Sequence, residues 1–140
     1  MRYFIFISFF FLSVLSSAQI NSDNFNSCKL RISLLTCTPG QELYSTFGHS
    51  AFRVDDSSTN TDLVFNYGTF DFDDPNFYEK FIKGKLLYFV SVDSLSSFLW
   101  EYRHDKRGVT EQVINLDCNE KQKMLAALLE NSKEENKYYR

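Results

Sequence analysis

The sequence predicts an α+β fold built on a mostly antiparallel sheet. Three observations carry that expectation. Five segments of strand length either alternate apolar and polar residues or concentrate branched and aromatic ones. Two longer segments space their apolar residues by three and four, as a helix face requires. Several links between strands are too short for the crossover that parallel pairing needs.

The elements follow in chain order. Residues 1–18, MRYFIFISFFFLSVLSSA, hold one basic residue, Arg2, an uncharged apolar run from Tyr3 to Leu15, and small residues at Ser16 and Ala18. They read as a secretory signal peptide cleaved after Ala18, the apolar run being short for a membrane span. Residues 19–28 are a polar, turn-rich lead-in, and residues 29–140 have the length of one domain.

Residues 29–36 set Leu30, Ile32 and Leu34 against Lys29, Arg31 and Ser33, a half-buried strand that Pro39 and Gly40 break. Residues 41–47 predict a short helix ended by Gly48, and a second strand starts at Ser50. After the polar loop 56–62, a third strand covers 63–68. A short helix is expected at 77–83, closed by Gly84, and the aromatic and branched segment 86–92 predicts a buried strand. Residues 94–103 predict a helix with Asp93 or Ser94 as N-cap, and 109–116 a strand. The clearest helix is 119–132, with Met124, Leu125, Leu128 and Leu129 on one face. KEENKYYR then ends the chain where another strand is expected to begin, so the domain is expected to be C-terminally incomplete.

Composition excludes some classes. With 15 basic and 18 acidic residues, a net charge of −3 and no basic cluster, the chain is not expected to bind nucleic acid. Export carries Cys28, Cys37 and Cys118 into an oxidising compartment, where an odd count leaves one unpaired. Cys37 is read as a small buried residue or the partner of Cys28, and Cys118 as structural. The C-x8-C-x11-H spacing that ends at His49 fits no zinc pattern, so neither a metal nor a cofactor is expected.

The candidate catalytic residue is His49, in TFGHSAFR. Gly48 permits a tight turn before it, the following strand clamps what comes after, and Ser50 and Ala51 leave room beside the ring. Imidazole works as a base near neutral pH when so fixed, although a histidine at a strand start also serves as a hydrogen-bonded structural residue. A base further needs a nucleophile and a group to orient its other nitrogen. Glu42 and Tyr44 precede it closely enough to contact the ring or a substrate; for Glu42 a solvated face is the simpler role. Glu111 and Gln112 fall on opposite strand faces, so at most one faces any given pocket. His104 is expected to be exposed, and residues 133–137 to form a solvated helix end. The aromatic run Phe65, Tyr67, Phe70, Phe72, Phe77, Tyr78 and Phe81 offers a groove for acyl chains or, more simply, a packed core.

Three segments, ISLLTCTPGQELYSTFGHSAFRV, VFNYGTFDFDDPNFYEKFIKGKLLYFV and VTEQVINL, occur in this order. Together they resemble the Lnb N-terminal periplasmic domain family of Bacteroidota and relatives, from about Leu30 to Arg140. Members are similar to permuted papain-like enzymes, in which the histidine precedes the cysteine. The resemblance implies that His49 is the catalytic histidine and that the nucleophilic cysteine lies in an Asp-Asn-Cys segment beyond Arg140. It implies an exported, periplasmic thiol-dependent acyltransferase acting in lipoprotein N-acylation, with a phospholipid as acyl donor and a lipoprotein N-terminus as acceptor. Membrane association is then expected from a region beyond Arg140. A papain-like amidase or peptidase, and a non-catalytic exported binding module, are the alternatives.

Overall fold

The computed structural model describes residues 28–140. The expected signal peptide, and all of the lead-in but Cys28, lie outside the described residues. Six strands form a single sheet: β1 (Leu30–Cys37), β2 (His49–Asp56), β3 (Thr61–Phe70), β4 (Tyr88–Ser94), β5 (Val109–Val113) and β6 (Tyr138–Tyr139). They are ordered β5-β1-β2-β3-β4-β6, and every pairing is antiparallel. The predicted α+β class is therefore observed, and β6 is a two-residue strand within the KYYR end of the chain.

Three α-helices accompany the sheet among the described residues: α1 (Phe77–Ile82), α2 (Leu95–His104) and α3 (Cys118–Asn131). Helix α2 links β4 to β5, which lie in different halves of the sheet, so it crosses one face on the way. Its Phe98 and Tyr102 pack there on Leu35, Cys37, Ala51 and Val64. Helix α3 returns across the other face, where Leu128, Met124 and Leu125 cover Leu30, Ile32, Val54 and Phe65. Burial on both faces is seen in β1, where Ile32 and Leu35 project to opposite sides and both are buried.

Local chemistry fixes the ends. Ser94 caps α2 by accepting from the Ser97 amide at 3.1 Å. Asp117 and Glu120 cap α3 reciprocally, each side chain accepting from the other residue's amide. The helix expected at 41–47 shrinks to one 3-10 turn at Leu43–Ser45. There the Ser45 and Thr46 hydroxyls both donate to the Glu42 carbonyl, competing with the backbone bonds a longer helix would need.

Cysteine pairing differs from the Cys28–Cys37 option. Cys28 is bonded to Cys118, and Cys37 is free and buried. Cys28 precedes β1 and Cys37 ends it, so an extended strand holds them about 30 Å apart. Helix α3, packed along β1, instead brings its first residue beside Cys28.

Candidate functional site

His49 opens β2, and its neighbours on both sides are fixed by glycines. Gly48 has φ +79°, and a Cβ there would stand 2.7 Å from the Cys37 carbonyl oxygen. Only glycine lets the loop pass this close to β1. Cys37 is the cross-strand partner of His49, so both side chains project from the same sheet face.

On the other side β3 carries a bulge between Asn66 and Thr69, which places one extra residue against β4. Gly68, φ +84°, lies in that bulge, and a Cβ built on it would be 3.7 Å from His49 Cε1. The same point lies 4.0 Å from the Tyr139 hydroxyl, so the glycine sits between the two rings. Asn66, just before the bulge, places its Oδ1 2.5 Å from His49 Nε2. An amide oxygen only accepts, so Nε2 carries the proton and Nδ1 keeps a free lone pair in the neutral ring.

A cleft of about 300 Å³ opens on this ring. Tyr44, Phe70, Phe72, Phe81 and Tyr88 give it aromatic walls, and Asn66, Thr69, Glu101 and Arg107 its polar groups. Tyr44 and Phe70 each meet Phe72 edge to face, at centroid distances of 5.1 and 4.8 Å. A larger hollow of about 680 Å³, between the β2–β3 turn and the start of α2, contains neither histidine nor cysteine.

The other candidates separate by place. Cys37 sits on the His49 face, but burial pushes its thiol pKa up, against the hydrogen bond from Tyr102 and the charge of Arg107. It is a protonated packing residue rather than a ready thiolate. Cys118 is consumed by the disulfide. Tyr44 lines the cleft, whereas Glu42 is exposed. Glu111 pairs with Arg53 and is absent from the cleft wall. His104 is exposed at the end of α2, its ring stacked on Trp100. The aromatic run divides: Phe65 and Tyr67 pack on the α3 side, while Phe70, Phe72 and Phe81 line the cleft.

Neither Asn66 nor Arg107 stands out in the sequence as a site residue. The trace of Asn66 is a polar residue within an otherwise apolar strand before a glycine, and Arg107 looks like one more charge in a polar turn.

Among the described residues no helix is long and apolar enough to cross a membrane. Comparison with curated proteins and with solved structures returns no match. The profile of the Lnb N-terminal periplasmic domain matches residues 16–140, nearly the whole chain, and the protein therefore belongs to the Lnb N-terminal periplasmic domain family.

Proposed function

We propose that this chain carries the histidine half of an exported thiol-dependent acyltransferase that acts in lipoprotein N-acylation. The observation that supports this most is the His49–Asn66 pair at an aromatic cleft: one ring nitrogen held by an amide oxygen, the other free. That is the orienting logic of a Cys–His–Asn site. The attacking thiol in this reading comes from the segment that the family resemblance places after Arg140.

In the first half-reaction His49 Nδ1 takes the thiol proton, the thiolate adds to the ester carbonyl of a phospholipid, and the imidazolium returns the proton to the departing alcohol. A thioester remains. In the second half-reaction the α-amino group of a lipoprotein's terminal cysteine attacks that thioester. His49 accepts the amine proton and passes it to the leaving thiolate, which restores the enzyme and leaves an amide. The aromatic walls of the cleft suit the apolar part of the donor.

The test is acyl transfer by the protein extended through its following segment. His49→Ala is expected to lower turnover by about 10²–10⁴ with the thermal midpoint nearly unchanged. Asn66→Ala, which leaves the base but frees its ring, is expected to cost less. A His49→Ala protein that retains turnover would remove the assignment.

A second reading, a non-catalytic exported binding module, draws on one observation: Cys37, the free thiol among the described residues, is buried with a raised pKa. In that case the extended protein binds acyl ligands in the cleft without turnover.

A further inference from the structure

Arg107 stands in the cleft wall with its guanidinium held in place but not neutralised. Its amide donates to the Tyr102 carbonyl at 2.8 Å, and its Nε donates to the Thr38 carbonyl at 2.9 Å. Thr38 is clamped in return, since its amide donates to the Gly108 carbonyl and its hydroxyl accepts from the Gly108 amide, both at 2.8 Å. The guanidinium carbon lies 4.6 Å from the centroid of the Tyr102 ring. The end of α2, the loop after β1 and a core aromatic therefore fix one side chain.

What this side chain lacks is an acceptor. Nη2 is buried without a hydrogen-bond partner, and the guanidinium enters no ion pair among the described residues. Glu101, the carboxylate on the same cleft, is exposed and forms none with it. Arginine stays charged at every accessible pH, and a buried N–H without an acceptor is costly, so such groups call for an explanation. With Nε committed to Thr38 and Nη2 buried, the donors left to meet a ligand are those of Nη1, on a guanidinium whose charge nothing in the wall neutralises. A charged donor of this kind pairs with a phosphate or carboxylate oxygen.

We propose that Arg107 is the specificity residue of the cleft and reads an anionic group on its ligand. The ligand class is an amphiphile whose phosphate or carboxylate seats on the guanidinium while its apolar part lies along Tyr44, Phe70 and Phe72. This rests on the reading of the His49 cleft as the substrate site, and it adds that the substrate's anionic charge is what the cleft selects.

The test is direct binding by calorimetry to the oxidised protein, with octyl phosphate, octanoate and octanol as probes. Octyl phosphate is expected to bind about tenfold or more tighter than octanol. Arg107→Gln should abolish that preference while leaving octanol binding where it was. Octanoate separates the two anion chemistries: affinity equal to that of octyl phosphate makes the recognised group any carboxylate or phosphate, and affinity near that of octanol makes it a phosphate. His49→Ala is included because it ends turnover in the reading above yet should keep the anionic preference, so loss of catalysis and loss of recognition are read separately. Equal affinity for octyl phosphate and octanol in the unmodified protein, or a preference that survives Arg107→Gln, overturns the proposal. Should Arg107→Gln fail to fold, Arg107→Lys decides, since it keeps the charge and loses the guanidinium. Weaker octyl phosphate binding with octanol unchanged supports the assignment, and no change in either defeats it.

Discussion

At the scale of single residues, Arg53 joins three strands through one guanidinium. It makes two hydrogen bonds of 2.8 Å to Asp62 on β3 and two of 2.9 Å to Glu111 on β5, so it reaches across β1 as well as along β2. Burial pushes the Glu111 carboxyl up, but the neighbouring Ser33 hydroxyl and the Arg53 guanidinium outweigh it and hold the group below its ordinary 4.5. A carboxyl that is more acidic folded than unfolded stabilises the fold fully above the unfolded value, and that contribution is lost as pH falls through the folded one. Glu111→Gln should therefore lower the urea midpoint at about pH 6, and the difference should shrink as pH falls below the ordinary carboxylate range. A difference that persists unchanged in acid would mean that charge is not the source. His49 was legible from the glycine before it, because a left-handed turn at a strand start has few residue solutions. Arg107 was not legible, because what singles it out is a buried nitrogen without an acceptor, a property of packing that no local pattern encodes.

Among the elements, α3 shows how far end chemistry controls a helix. Its apolar face is modest, with Leu128 buried, Met124 and Leu125 half-buried and Leu129 mostly exposed, so the capping box at its start carries real weight. Asp117→Ala is expected to destabilise the protein by about 1 kcal/mol, measured by urea unfolding, with Asp117→Asn recovering most of it. The same element was the easiest to predict, since its cap and its spacing agree. Strands β1 and β2 were legible because their residues partly alternate between apolar and polar at strand spacing. The β3 bulge was not, and it is the bulge that bears on the site: it ends the regular register just after Asn66 and puts Gly68 beside the His49 ring. The 41–47 segment shortened to a single 3-10 turn, in which the Glu42 carbonyl accepts from the Ser45 amide and from the Ser45 and Thr46 hydroxyls.

Over the whole molecule, the fold is a sheet held between two crossing helices, and the Cys28–Cys118 bond ties the start of the first strand to the start of the last helix. The bridged residues are 90 apart in sequence. Closing a loop of that length restricts the unfolded chain strongly, and Cys28→Ser with Cys118→Ser is expected to cost about 2–4 kcal/mol. An unchanged urea midpoint would place the bridge outside the stable core. The antiparallel class was legible from link lengths, whereas the strand order was not: β5 and β6 reach opposite edges only because α2 and α3 cross the sheet, and nothing local reports that path. The same bridge also sets an order of events for a chain that is threaded through a membrane from its N-terminus. Cys28 emerges first and Cys37 soon after, while Cys118 follows only when most of the domain is out. An oxidant acting during transit meets the wrong pair before the right partner exists. Maturation should accordingly depend on a disulfide isomerase, and Cys37→Ser should relieve that dependence, visible as a higher yield of correctly bridged protein in cells lacking the isomerase. The cross-strand partner of His49 in the finished fold is thus expected to compete during its making.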